Sequence, residues 1–240
     1  MVVNLLFPRG CAGCDKPDEV LCEACRALFS QPTAQSFDGV AMQRWFACGW
    51  YRGTVRKAVL AWKDHGDEEC DRAFADAICA LAKASGVIDF VRDRHGSCHD
   101  VVVVPAPSSP ASIRRRGRKH MMPIAKHLAG FLREETGCEV TVRDALENRG
   151  GQREISADQR CGATVATFEG ACFGASSVSL RNTMVILVDD IVTTGATMRS
   201  CVETMRKEGA TVVTVLALAH TPAGTQKVGP TQAWSRTQVQ

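Results

Sequence analysis

The chain has 240 residues, is 45% apolar and 23% charged, and carries a net charge of +3. These values exclude a disordered or strongly polyionic protein and leave room for one sizeable α/β domain plus a small module. No stretch approaches the roughly 20 apolar residues that cross a bilayer. The apolar start MVVNLLF lacks a basic lead and runs into Pro8 and Cys11, so no signal peptide is expected and the chain reads as cytoplasmic.

In chain order, a Cys-rich stretch comes first. CAGC at 11–14 and CEAC at 22–25 give the spacing C-x2-C-x7-C-x2-C. Two such pairs fit four thiolates around a tetrahedral structural zinc, with Cys11, Cys14, Cys22 and Cys25 as ligands and no position left for chemistry. The other cysteines are scattered and read as small core or surface residues, not disulfides. Residues 1–30 are thus a four-cysteine zinc-binding head.

Residues 31–98 read as an aromatic strand and helical hood segment. QPTAQSFDG, 31–39, reads as a polar link, and RWFACGWYRG, 44–53, as a strand or hairpin. Two helical patterns follow, one with Val55, Val59 and Trp62 on a face, the other with Phe74, Ala77, Ile78 and Leu81. RDRHGSCHD, 92–100, is a polar connector.

Residues 99–221 form the core. VVVVP, 101–105, and MVILV, 184–188, are continuous apolar runs that fit strands buried on both faces. CEVTV, 138–142, and TVVTVLALA, 211–219, are further strands. Helices are expected from Met121 to Leu132 and over 196–208, the latter with Met198, Cys201, Val202 and Met205 facing inward. Strand–helix–strand in repetition predicts an α/β fold, a parallel sheet flanked by helices on both faces. Residues 143–164 are polar and too long for an idle connection, which marks a mobile functional loop. Residues 222–240 carry no periodic core pattern and are expected to be a disordered tail.

The chemistry concentrates in VILVDDIVTTGAT, 185–197. In a parallel sheet, ligands bind beyond the carboxyl ends of the strands, which is where Asp189 and Asp190 fall. Thr193, Thr194, Gly195, Ala196 and Thr197 then lead into a helix. A small-residue loop at a helix N-terminus offers backbone N–H groups and a positive dipole end to a phosphate. Two carboxylates beside a phosphate cradle make sense if they face neutral hydroxyls or a cation, as on a sugar phosphate. A Walker-type strand ending in acids would need a Gly-rich, Lys-containing loop upstream, and none is present.

That stretch resembles the phosphoribosyl-diphosphate motif of the type I phosphoribosyltransferases. The resemblance implies that Asp189 and Asp190 contact ribose hydroxyls, with Asp190 near the reacting carbon, and that residues 193–197 hold the 5-phosphate. With the zinc head, the chain resembles the ComF-like, competence-associated family. LLFPRGCAGC, WYRGTVRKAVLAWKDHGD, VVPAP followed by RRRG, and Gln152, Arg160 and Phe168 in the loop carry this likeness. It departs where Arg118–Lys119–His120 replaces aromatic-Asn-Gln and where Ala163 replaces Asn.

The likeness implies 5-phosphoribosyl 1-diphosphate with Mg²⁺ as ligand and possible transfer of the phosphoribosyl group to a nucleophile. It also implies a part in DNA uptake. The alternative is a non-catalytic adaptor on the same scaffold, handling single-stranded DNA with competence proteins. Pro105 and Ala106 fall in its pyrophosphate region, where a rigid turn is expected. Arg116, in the basic run Arg114–His120, is the expected diphosphate contact, since a guanidinium suits phosphate oxygens. Lys63 reads equally as a ligand contact and as a surface lysine. The histidines show no ligand spacing, and His120 and His127 read as structural or surface residues.

Overall fold

A computed structural model of the chain describes residues 10–64, 66–94, 100–148, 173–175 and 180–221. Its strands are β1 (Thr33–Ser36), β2 (Arg44–Ala47), β3 (Asp100–Pro105), β4 (Val140–Val142), β5 (Leu146–Asn148), β6 (Phe173–Ala175), β7 (Thr183–Val192) and β8 (Thr211–His220). Its helices are α1 (Glu23–Ala27), α2 (Gly53–Asp64), α3 (Cys70–Ala84), α4 (Val87–Arg94), α5 (Pro110–Arg116), α6 (Met121–Thr136) and α7 (Ala196–Lys207). Six strands make one sheet in the order β1-β2-β8-β7-β3-β4, parallel throughout except for the antiparallel edge pair β1–β2. β5 and β6 form a separate antiparallel ribbon.

The alternation of side chains along a strand sorts the sheet into two apolar faces. Val101 and Val103 of β3 and Met184, Ile186 and Val188 of β7 pack with the helices α2, α3, α4 and α6. Val102, Val104, Val185 and Leu187 point the other way, onto Met198, Cys201, Val202 and Met205 of α7. The mixed α/β fold, with a mainly parallel sheet between helices, is therefore as its apolar runs predict. Strands from both sides of residue 99 share this sheet. The head shares the larger core: Leu21, Cys22, Cys25 and Phe29 are buried in it, and the Phe29 ring lies 5.1 Å from that of Phe74.

Several elements differ from expectation. The polar stretch at 31–39 contains β1, which is only half-buried because it is an edge strand. α4 has just Val87, Ile88 and Val91 on its buried face, too short a run to stand out. α5 is defined by its ends: Ser109 Oγ accepts the Ser112 N–H at 3.2 Å, Pro110 opens the helix, and Gly117 closes it at φ 72°. The loop expected at 143–164 begins with β5, and residues 149–164, Gln152 and Arg160 among them, lie outside the described residues, as do Phe168 and 222–240. β7 runs on to Val192, so the two acids lie within the strand, not past its end. Among the described residues no helix is long and apolar enough to cross a membrane.

The last residue of β8, His220, is 1% exposed. Its ring lies between Trp45 and Trp50, with centroids at 4.8 and 4.3 Å. Gln35 Nε2 lies 2.9 Å from its Nε2, and Thr33 Oγ1 lies 3.1 Å from its Nδ1. Burial lowers its pKa to about 4. Between the unfolded value near 6.5 and that value, the unfolded chain binds the extra proton. The contribution of neutral His220 is complete above pH 6.5 and declines as pH falls toward 4. Relative to His220→Gln, the wild type should lose roughly 2–3 kcal/mol between pH 7 and pH 4. Urea unfolding of both proteins across that range checks it, and a pH-independent difference would contradict the burial argument.

Candidate functional site

The connections after β3 lead first to β4 on one side and then to β7 and β8 on the other. The strand order thus reverses between β3 and β7, and their carboxyl ends border the crevice where open α/β sheets bind ligands. Pairing of β3 with β7 stops at Pro105 and Val188, while Asp189, Ile191 and Val192 continue to pair with β8 alone. The turn after β3 closes against this point: the Ala106 N–H donates to the Val188 carbonyl at 2.7 Å. Pro105 and Pro107 have no N–H, so 105–107 has no uncommitted backbone donor. No peptide bond among the described residues is cis.

Beyond the acids, Thr193, Thr194, Ala196 and Thr197 are exposed and Gly195 is buried at φ 75°. Gly195 is needed there because the left-handed conformation strains other residues; the atom nearest an added Cβ, Arg199 Nη1 at 3.2 Å, ends an exposed side chain that can move aside. Its turn directs the chain into α7, where the Ala196 N–H donates to Thr194 Oγ1 at 3.4 Å and the threonine side chains are exposed. The arrangement can hold an anion.

Asp189 and Asp190 point to opposite faces of β7 and differ in environment. Asp190 is 4% exposed and continues the row of Ile186 and Val188 toward α2 and α6. Its Oδ2 forms an ion pair with Lys63 Nζ and lies 2.6 Å from His120 Nε2. Burial pushes its carboxyl up, but the His120 hydrogen bond and the Lys63 charge outweigh burial and hold it below the ordinary carboxylate value. Asp189 is half-buried and accepts the Asp190 N–H at 2.8 Å. Desolvation and then the Asp190 charge push it up to about 8, against the opposing pull of Lys63. One acid is thus held ionised while its neighbour is poised to carry a proton, a division set by surroundings and not by residue type.

The charges around Asp190 close a ring. Lys63 and Asp64 are adjacent at the end of α2. Lys63 holds Asp190, whereas Asp64 Oδ1 accepts from Arg116 Nε at 3.2 Å and Nη2 at 3.1 Å. Arg116 Nη1 lies 3.2 Å from His120 Nδ1, and His120 returns to Asp190. Lys63, Asp190, Pro105, Ala106 and Arg116 are therefore brought together, with the loop 193–197 at the same end of β7. Two histidines that read as structural or surface residues have acid partners: His120 contacts Asp190, and His127 lies 3.1 Å from Asp76. The partners are remote in sequence, so neither spacing nor charge pattern shows them.

The basic run is largely neutralised. Arg115 bonds Asp64 at 2.9 Å, Arg118 bonds Asp71 at 2.7 and 3.1 Å, and Lys119 pairs with Asp144. A cleft of about 180 Å³ opens beside the site, lined by Pro105, Pro107, Ser108, Lys119, Met121 and Asp144 among others; neither acid of the pair nor the loop 193–197 borders it.

At the N-terminus, the sulfurs of Cys11, Cys14, Cys22 and Cys25 all lie within 4.8 Å of one another and could hold a metal ion. Cys14 and Cys22 are 3.6 Å apart, and the nine described cysteines are all free. The Cys22 N–H points to Cys11 Sγ at 3.3 Å. A Cβ on Gly13 would sit 2.7 Å from Thr54 Cγ2 and 2.9 Å from Cys25 Sγ, so the first knuckle and the start of α2 are in close contact.

The phosphoribosyl transferase domain family matches residues 111–233, more than half of the chain, and the chain belongs to that family. The matched span includes the acids and the loop 193–197. No curated protein matches the chain. Among solved structures, it is similar to a purine phosphoribosyltransferase from Pyrococcus horikoshii Ot3, at 20% identity and a TM-score of 0.31, over 65% of this chain and 79% of that one. It is also similar to the HGPRT-ase of Leishmania tarentolae solved in complex with GMP, at 17% identity and a TM-score of 0.35, over 66% and 72%. A third similar structure is the phosphoribosylpyrophosphate synthetase of Mycobacterium smegmatis, at 16% identity and a TM-score of 0.31. There the match covers 56% of this chain and only 32% of the synthetase.

A buried carboxylate stripped of its cation is costly, on the order of 3–5 kcal/mol. Lys63→Met should therefore destabilise the protein by about 3 kcal/mol, less if His120 compensates. Lys63→Met with Asp190→Asn should recover much of the loss, because no uncompensated charge remains. Urea denaturation of the four proteins of this cycle checks it, and strictly additive losses would show that the pair is not energetically coupled.

Proposed function

We propose that the protein binds 5-phosphoribosyl 1-diphosphate with Mg²⁺ and transfers the phosphoribosyl group to a nucleophile, releasing pyrophosphate. The observation that carries this reading is the placement of Asp189 and Asp190 just before a small-residue loop with exposed threonines, at the point where the strand order reverses. Membership of the phosphoribosyl transferase domain family supports it.

Thr193, Thr194, Gly195, Ala196 and Thr197 take the 5-phosphate, and the acid pair takes the ribose hydroxyls. The incoming nucleophile forms a bond to the anomeric carbon as the C–O bond to the diphosphate breaks, its electron pair leaving with pyrophosphate. A carboxylate of the pair favours the positive charge that develops on the sugar ring. Arg116 and Lys63, beside the turn at Pro105 and Ala106, supply charge to the diphosphate. Both are already paired with acids, so ligand binding is an exchange of partners, not the filling of an empty cationic pocket. Asp189 fits Mg²⁺ as a hard oxygen donor once the cation displaces its proton, since its second oxygen has no partner among the described residues. When bound, Mg²⁺ neutralises the diphosphate.

Residues 1–30 hold a structural zinc. Four thiolates about 2.3 Å from one tetrahedral ion are about 3.8 Å apart, close to the 3.6 Å between Cys14 and Cys22. With the zinc head, the resemblance to the ComF-like family supports a part in DNA uptake. The adaptor reading, with the basic run on single-stranded DNA, is the less favoured one. Arg115, Arg116, Arg118 and Lys119 are each paired with an acid and would first have to give it up.

Elemental analysis should find one zinc per chain, and Cys22→Ser should lose it. Because Leu21 and Phe29 lie in the main core, chelation should lower the unfolding temperature of the whole chain and not merely loosen its start. Zinc-free protein of unchanged stability would refute the assignment. Calorimetry tests the ligand. Asp189→Asn should weaken Mg²⁺-dependent binding of phosphoribosyl diphosphate by about tenfold and weaken ribose 5-phosphate, which has the hydroxyls but no Mg²⁺-bound diphosphate, by less. Gly195→Val should weaken both. Wild-type protein that binds neither compound, with or without Mg²⁺, would overturn the ligand assignment.

A further inference from the structure

His120 stands where α6 begins, 4% exposed, and both ring nitrogens are engaged. Nε2 lies 2.6 Å from Asp190 Oδ2; Nδ1 lies 3.2 Å from Arg116 Nη1 and 3.5 Å from Ser108 Oγ. A guanidinium carries only N–H donors, so Nδ1 must be the acceptor in that contact. A carboxylate accepts only, so the ring proton must sit on Nε2. Two neighbours from different elements thus fix one tautomer from opposite sides. The groups facing the ring are Arg116 from α5, Asp190 from β7, Ser108 from the turn after β3 and the Trp62 ring from α2 at 5.0 Å. Lys63 and Asp64 stand one contact further away, on Asp190 and Arg116.

We propose that His120 is a positioning residue: its Nε2–H orients the Asp190 carboxylate, and the Arg116 guanidinium on Nδ1 couples that orientation to the diphosphate end of the site. The proposal rests on the ligand assignment above. Neither contact needs His120 to touch the substrate. A guanidinium drawn toward a phosphate leaves Nδ1, and the change reaches Asp190 through one rigid ring. The two ends of the ligand are then sensed together, although Arg116 and Asp190 share no direct contact.

The test has two arms. Long-range ¹H–¹⁵N correlation on ligand-free protein should show His120 with its proton on Nε2 and none on Nδ1. Arg116→Ala should shift the Nδ1 resonance. A proton on Nδ1 in the wild type, or an Nδ1 resonance indifferent to Arg116→Ala, would overturn the proposal. The second arm compares His120→Gln, whose amide can still donate to Asp190, with His120→Phe, which keeps a ring but no donor. Both are first checked for folding by thermal denaturation. Phosphoribosyl diphosphate with Mg²⁺ should bind about tenfold more weakly to the Phe variant and within about threefold of wild type to the Gln variant. Equal affinities for the two variants would count against positioning. If wild-type protein binds no phosphoribosyl diphosphate, the ligand assignment falls, and the spectroscopic arm alone decides the Arg116–His120–Asp190 coupling.

Discussion

The buried carboxylate of Asp190 constrains everything around it. A strand that is apolar on both faces ends its buried row with a charge, and a charge at 4% exposure persists only with partners. Lys63 comes from α2 and His120 from the start of α6, so satisfying Asp190 requires that both helices dock on the same face of the sheet. Their partners follow. Asp64 beside Lys63 and Arg116 near His120 are brought within reach of each other, and Arg118 meets Asp71 on α3. A single acid at the sheet edge thus organises the contacts between the helical segment and the segment after β3.

The same constraint explains why the two adjacent acids are not equivalent. The pleat sends Asp190 toward its cations and Asp189 toward α7, where Cys201 and Met198 offer no charge. One carboxylate is held ionised, and the other retains an oxygen without a partner among the described residues. The proposed ligand would bring hydroxyls, phosphate and a metal ion to such a site, for which carboxylates in different states are suited, and the alternation of a β-strand supplies them without any special sequence.

Much of this was legible in the residues. The valine run of β3 and the apolar run of β7 admit few other structures, and the inward face of α7 is a clear 3.6-residue pattern. The cysteine spacing likewise places four sulfurs together. Legibility fails where an element depends on partners far away. β1 is polar and becomes a strand only by pairing with β2, and β5 only by pairing with β6. α5 carried a signal in Ser109, Pro110 and Gly117, which mark its ends more clearly than any apolar stripe. His120 could not be read as part of the site because Asp190 lies 70 positions away, and no local rule links a histidine to it. The basic run misleads for the same reason: Asp64, Asp71 and Asp144, which neutralise it, are scattered along the chain.

β2 lies between β1 and β8, so Trp45, Phe46 and Ala47 pair with Val215, Leu216 and Ala217, close to the far end of the described chain. During synthesis the amino-terminal third emerges first, yet β2 can pair only with β1 until β8 has left the ribosome. Helices α2 and α3 can form early, but the sheet edge they cover is completed last. Long-range parallel pairing of this kind is slow because the loop must close before any contact rewards it. Through that interval the head depends on its own local contacts. A metal clasp close to the start of the chain would give those residues a fold of their own while they wait for the strand that anchors them.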